Sequence, residues 1–235
     1  MVNKTGTAAE RVADVLRRRI TEGDLRPGLQ LSEEKLVARM AVSRNTLREA
    51  FRLLAHDGLL IHRLNRGVFV SEFEEDDVVD LYRLRRIVEC EVVRSLVGLD
   101  AERLAPLRAE VEAAESAASR GAWDEVGTAN MHFHQRLVGL AGNRRVDDLT
   151  RRLLAELRLL FHVAANPHAL HAPYVDRNRA LLEMIAAGAV RCAADELERY
   201  LHDSEEQLLN AYHGARDPAP VHDRDALRPV GGAAR

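Results

Sequence analysis

Three arginines and an asparagine raise the first chemical question. On a helix running from Arg44 to about His56, with Arg44 at zero and ~100° per residue, Asn45, Arg48 and Arg52 fall at roughly 100°, 40° and 80°. Leu47, Ala50, Phe51 and Leu54 fall at roughly 300°, 240°, 340° and 280°. One side is apolar and the other is a row of hydrogen-bond donors. Arginine matches the O6/N7 edge of guanine and asparagine the N6/N7 edge of adenine, so the chemistry on offer is readout of base edges. Ser43 can cap the helix and from there contact a phosphate. A solvated basic face on an ordinary amphipathic helix would carry the same residues. The face alone leaves both readings open.

The elements around it must decide whether that face is presented. Val12, Val15, Leu16, Arg19 and Ile20 follow helical spacing from about Ala8 to Glu22, and Gly23 is placed to end that helix. Leu25-Arg26-Pro27-Gly28 is turn chemistry. Ser32 reads as an N-cap, with Glu33 and Glu34 in a first turn whose dipole favours carboxylates. That second helix ends near Met40, and Ala41-Val42-Ser43 turns into the arginine-bearing helix, which Asp57-Gly58 closes. Leu59–Arg63 and Val68–Val70 are strand-like runs about the turn Leu64-Asn65-Arg66-Gly67. Gly67 permits close approach and Arg66 can reach the backbone or the minor groove. Helix, turn, basic helix and hairpin in this order, within about forty residues, predict a winged helix-turn-helix.

Beyond the acidic stretch 71–77 only helical periodicity remains, from Val78 to His213. Breaks at Gly98-Leu99-Asp100, Gly121, Gly142-Asn143, Asn166-Pro167 and Gly188 divide it into about six helices, with Pro106 expected to kink or restart the second. The fold class is therefore mainly α: an amino-terminal winged helix-turn-helix over residues 1–73 and an all-α bundle over 74–213. The Pro/Gly/Ala-rich segment 214–235 is expected to be disordered. Residues 1–73 carry 13 Lys/Arg against 9 Asp/Glu, while the rest carries 21 against 28, although the whole chain of 235 residues has a net charge of only −3. A basic first third on an acidic remainder points to a polyanionic partner for the first part. No apolar run approaches the ~20 residues that cross a bilayer, so no membrane partner is expected. Met1–Gly6 lacks the apolar stretch of a secretory signal, and Cys90 and Cys192 are too few for a disulfide framework. Both thiols read as small buried hydrophobes, and the expected setting is cytoplasmic.

Leu31 through Ala50, with Leu53–Leu60 and Asn65-Arg66-Gly67-Val68-Phe69-Val70, resembles the winged-helix signature of the gluconate-repressor (GntR) family over nearly all of residues 8–71. The resemblance implies that Arg44, Asn45 and Arg48 occupy base- and phosphate-reading positions, and Ser43 and Thr46 the flanking hydroxyl positions. Arg52, Asn65, Arg66 and Gly67 complete the expected DNA-binding set. Family members commonly carry an arginine where Glu34 stands, so either Lys35 substitutes or one contact is missing.

The helical remainder resembles the effector domain of the fatty-acid-regulator (FadR) branch, called FCD, in its shorter VanR-like form. The matching stretches are Leu81–Glu89, Asn130–His134 with Leu140–Asn143, and Asn178–Leu182 through Ala187-Gly188. Many members of that branch hold a divalent metal through an Asp or Asn, a His four residues later, and two histidines on the last two helices. Asn130 and His134 fill the first two places, and residues at i and i+4 share a helix face. The other places fall on Asn178 and Tyr200, so imidazole is lost at both, and two Asn oxygens and one His make a poor site for such a metal. No cofactor is expected, a divalent metal at Asn130 and His134 being the open alternative to a metal-free polar pocket of Asn130, His134, Asn178 and Tyr200. By the same resemblance Arg85 faces the cavity, where it would clamp a carboxylate or phosphate. The alternative is a weak exposed pair with Glu89 at i+4. The remaining histidines of this half show no metal spacing and are assigned to surface or loops.

The expected function is a ligand-responsive DNA-binding transcriptional regulator, a repressor released by a small carboxylate- or phosphate-bearing effector. As a homodimer it would engage a double-stranded DNA operator. The alternatives are a metal-dependent regulator with a degenerate Asn/His site, an architectural DNA-binding protein and a metalloenzyme. No nucleophile elbow, phosphate loop or HExxH occurs, so an enzyme is not expected.

Overall fold

The computed structural model describes residues 6–163 and 166–216. Helix α1 (Ala8–Thr21) opens with a capping box, Thr7 N–H donating to Glu10 Oε2 at 2.7 Å and Glu10 N–H to Thr7 Oγ1 at 3.2 Å. A short strand β1 (Gln30–Leu31) leads to α2 (Glu33–Met40), capped by Ser32. Ala41 turns the chain with a left-handed φ of 51°, and Ser43 caps α3 (Arg44–His56). Strands β2 (Leu60–Arg63) and β3 (Gly67–Val70) form the antiparallel wing, Leu60 opposite Val70 and Arg63 opposite Gly67. Strand β1 adds to the free edge of β3, Gln30 opposite Phe69, giving the order β1-β3-β2. The sequence reading contains no β1.

Helix α4 (Glu75–Arg85) passes through a π-helical turn, Arg86–Cys90, into α5 (Glu91–Ser95). Then follow α6 (Ala101–Ser119), α7 (Trp123–Gly139), α8 (Arg144–Leu160), α9 (Pro167–Ala186) and α10 (Val190–Arg216). Helix α10 continues through Arg216, and residues 217–235, where most of the expected tail lies, fall outside the described residues.

Pro106 does not restart a helix: α6 is continuous from Ala101 to Ser119. The carbonyl it deprives of a partner belongs to Glu102, which is exposed and can turn to water. A second interior proline, Pro173 in α9, frees the Ala169 carbonyl. Gln207 of α10 fills that gap, its Nε2 donating to Ala169 O at 2.6 Å while its Oε1 accepts from the Tyr174 hydroxyl at 2.9 Å.

Two hydrophobic cores result. The first joins Leu16 and Ile20 of α1, Leu47, Phe51 and Leu54 of α3, and Val68 and Val70 of β3. Burial of each such large side chain stabilises by about 1.5–3 kcal/mol. Ala155 and Leu159 of α8 belong to this same core, so α8 is the element on which the winged part rests. The second core fills the bundle, with α10 packed on α4, α5 and α9, and α6 and α9 packed on α7.

Candidate functional site

Leu47, Ala50, Phe51 and Leu54 of α3 are wholly inaccessible, and Arg44, Asn45, Arg48 and Arg52 stand on the opposite, exposed face. The helix is held by its back and offers its donors outward. Ser43 Oγ accepts from Thr46 N–H at 3.0 Å and lies 2.8 Å from Thr46 Oγ1, so both hydroxyls cluster at the helix start. Arg48 Nε donates to Glu33 Oε2 at 3.1 Å and Arg52 Nη1 to Glu49 Oε2 at 3.0 Å. Both pairs are exposed and worth little, so an incoming phosphate can displace them. Arg44 has no hydrogen-bond or ion-pair partner among the described residues. At the wing tip Leu64, Asn65 and Arg66 are exposed. Gly67 has a φ of 95°, a conformation that glycine adopts without strain, and Gln30 Nε2 donates to the Arg66 carbonyl at 2.7 Å. That bond braces the wing from β1, a contribution the sequence reading missed. Glu34 and Lys35 are exposed on α2 beside this face.

The second candidate set comes together inside the bundle as one hydrogen-bonded chain. Arg85 Nε donates to Glu89 Oε1 at 2.6 Å, and Glu89 Oε2 lies 2.7 Å from His134 Nδ1. His134 Nε2 is 3.1 Å from the Tyr200 hydroxyl, which is 3.0 Å from Asn130 Oδ1, and Asn178 Nδ2 donates to that oxygen at 2.7 Å. All six side chains are buried. The two readings of Arg85 therefore need correcting: it does pair with Glu89, but only 2% of either side chain is exposed. The π-helical turn sets the pair against the bundle, with the Arg85 guanidinium over the Tyr82 ring at 5.0 Å. Sequence spacing offers Glu89 only as Arg85's i+4 partner. Its position between Arg85 and His134 had no sequence signal, since His134 lies 45 residues away.

Burial would raise the Glu89 carboxyl, but Arg85 overturns this and holds it down to about 2. Burial depresses His134 against the pull of Glu89, so the imidazole is neutral. A carboxylate can only accept, so Nδ1 carries the proton and Nε2 is an acceptor. The Tyr200 hydroxyl then has one proton for two acceptors. At the ends of the chain, Arg85 Nη2 and Asn178 Oδ1 are buried without partners.

This centre does not fit a divalent metal. Burial pushes Tyr200 well above the usual phenol range, so its oxygen stays protonated, and the neighbouring Arg85 disfavours a cation. The one carboxylate, Glu89, is already neutralised by Arg85, and a single imidazole, a neutral phenol and two amides lack the charge to hold the ion. A cleft of about 590 Å³ opens elsewhere, between α1 and helices α6, α7 and α8, lined by Arg17, Arg103, His132, Gln135, Arg136 and Asp147 among others. None of the network residues lines it, which corrects the expectation that Arg85 faces an open cavity.

Two smaller expectations also change. Cys192 is exposed, whereas Cys90 is buried. His171 is buried in the bundle. His213 and His168 are exposed, as assigned, His213 pairing with Glu75 at 2.7 Å and His168 standing edge-on against Trp123 at 4.4 Å. His222 lies outside the described residues.

The winged part and bundle are joined through Asp57, the C-cap of α3. Arg17 Nη2 of α1 donates to Asp57 Oδ2 at 2.5 Å and Arg152 Nη1 of α8 to Oδ1 at 3.2 Å. Among the described residues no helix is long and apolar enough to cross a membrane.

Compared with known proteins, residues 8–70 match the bacterial regulatory proteins of the gntR family and residues 80–203 match the FCD domain. The chain is 30% identical over 155 residues to the HTH-type transcriptional repressor RspR of Escherichia coli (strain K12), covering 66% of this chain and 68% of that one. It is 33% identical over 136 residues to the uncharacterized HTH-type transcriptional regulator YdhC of Bacillus subtilis (strain 168), or 57% of this chain. The match spans 61% of YdhC, less than two thirds of its length. A solved GntR protein from Rhodococcus sp. RHA1 is 41% identical, with a TM-score of 0.78 over 87% of this chain and 98% of that one.

Proposed function

The chain belongs to the gntR family of bacterial regulatory proteins and carries an FCD domain, and from that premise we propose that it is a one-component, ligand-responsive repressor of transcription. Residues 1–73 bind operator DNA, and residues 74–213 bind the effector and dimerise. The observation that carries the reading is α3: four apolar residues wholly inaccessible on one side, and Arg44, Asn45, Arg48 and Arg52 exposed on the other. A homodimer would set two such helices in successive major grooves, about 34 Å apart, on a near-palindromic site. Arg44, Asn45 and Arg48 read base edges and phosphates, and Ser43 and Thr46 fix the helix start. Arg52 adds backbone contact, and Asn65-Arg66-Gly67 of the wing reaches the neighbouring groove. Repression is supported by the name of the related RspR.

The effector is a small carboxylate- or phosphate-bearing metabolite that engages Arg85, Asn130, His134, Asn178 and Tyr200. Support comes from the buried Arg85 Nη2 and Asn178 Oδ1, a donor and an acceptor left without partners at either end of the network. Because the network is closed, an effector must displace helices to enter. Arg152 and Ala155 of α8 touch the winged part, so such a displacement is felt there. An effector that binds the DNA-incompetent arrangement better releases the operator. The closed interior also supports a second reading, in which the bundle only dimerises.

Fluorescence anisotropy with the DNA upstream of its own gene, against a scrambled duplex over a salt series, tests the reading. Binding that persists on the upstream duplex at a salt concentration that abolishes binding to the scramble supports it; identical curves refute it. Repeating the titration with organic acids, sugar acids and acyl-CoA separates the two versions, since only an effector-binding bundle changes affinity.

A further inference from the structure

We propose a small-oxyanion site, distinct from the Arg85 network, at Arg158 of α8 and His171 of α9, where a carboxylate or phosphate group would brace the end of α1 against the bundle. Arg158 is 5% exposed and His171 is 4% exposed. Neither side chain has a hydrogen-bond partner among the described residues, and Arg158 Nε is sealed from solvent without one. Among the described residues no carboxylate lies within 4 Å of Arg158; the one that acts on it is Asp124 of α7, from farther away. A buried guanidinium without a counter-ion is costly, and a bound anion removes that cost.

The geometry gathers donors rather than separating them. A Cβ on Gly127 of α7 would stand 2.5 Å from Arg158 Nη1 and 2.6 Å from His171 Nε2, so those nitrogens are at most 5.1 Å apart. A Cβ on Gly23, just past the end of α1, would stand 2.5 Å from Arg158 Nη2. Two glycines thus clear room for one guanidinium, which reaches from the α1 turn to α7. His171 is held against Phe161, ring centroids 5.4 Å apart, with its edge nitrogen toward the arginine. Burial and Arg158 hold His171 down to about 3, so the ring is neutral, and in its Nε2–H tautomer an oxyanion bridging Nη1 and Nε2 accepts from both. Gly23 belongs to the winged part and Gly127 to the bundle, so charge neutralised at Arg158 stabilises their contact.

Thermal unfolding of the full chain at constant ionic strength tests this, with inorganic phosphate and acetate in separate arms and chloride as reference. The wild-type Tm is expected to rise by about 3 °C for each tenfold increase in phosphate or acetate above saturation, and not with chloride. Whichever arm responds names the group. Arg158→Met is expected to melt above wild type without oxyanion and to show no response. Should that variant fail to fold, Gly127→Ala, which pushes a methyl into Nη1, is expected to fold and lose the response. Arg136→Gln, at an exposed arginine of α7, is expected to retain it. A wild-type Tm indifferent to both anions overturns the site, as does a response that survives Arg158→Met or Gly127→Ala, or one that disappears in Arg136→Gln. Because DNA is absent from the assay, failure here leaves the operator-binding reading to its own test.

Discussion

Glu156 of α8 should make this protein less stable as pH rises. Its carboxyl is raised from the ordinary 4.5 to about 7, first by burial, then by Asp77 of α4 and Asp57 of α3, against the pull of Arg152. The folded chain therefore holds a proton there that the unfolded chain releases between about pH 4.5 and 7. Stability is fully present below that window and is lost as pH climbs through it. The rise corresponds to an upper bound of about 3 kcal/mol, and solvent reaching this half-buried group lowers the expected effect to about 1–2 kcal/mol. Glu156→Gln keeps the shape and removes the charge. Urea unfolding of both proteins at pH 4 and pH 8 isolates the effect, since every other titrating group is shared. The variant should match wild type at pH 4 and exceed it by about 1–2 kcal/mol at pH 8. A difference between the two proteins that does not change with pH would mean that Glu156 holds no extra proton in the folded chain.

Glu89→Gln should cost about 3–5 kcal/mol in chemical denaturation, because Arg85 is left as a buried, unpaired charge. The double variant Arg85→Met/Glu89→Leu should recover most of that loss. Gln207→Leu removes its hydrogen bonds to the exposed Ala169 carbonyl opposite Pro173 and to the Tyr174 hydroxyl, and should lower stability by about 0.5–1.5 kcal/mol in urea unfolding. Ala41→Gly should raise stability by about 1 kcal/mol, since alanine is strained at a φ of 51°; equal or lower stability would remove the argument.

The sequence foretold α3 to the residue, because its apolar positions keep a strict 3.6-residue period and both ends carry capping signals, Ser43 and Asp57-Gly58. The five glycine- and asparagine-marked breaks in the bundle separate its helical segments for the same local reason. Strand β1 was hidden because two residues have no period, and Gln30 and Leu31 become a strand only when β3 lies beside them. Pro106 does not break α6, since the carbonyl it frees belongs to Glu102, an exposed residue within reach of water. Arg85 and Glu89 were visible as an i,i+4 pair, but not their burial, which depends on a π-helical turn with no sequence signature of its own. The links from Glu89 to His134, and from His134 to Tyr200, join residues 45 and 66 positions apart. His171 passed for a surface residue because what buries it, Phe161 and Arg158, comes from another helix.

Sequence readout by the exposed arginines of α3, as proposed, is measured by binding of wild type, Arg44→Ala and Arg48→Ala to the upstream duplex and to a scrambled duplex at one salt concentration. Each substitution should weaken specific binding by about 1–3 kcal/mol, roughly five- to 150-fold, with a much smaller effect on the scramble and an unchanged melting temperature. Equal loss on both duplexes, or no loss on either, would contradict it.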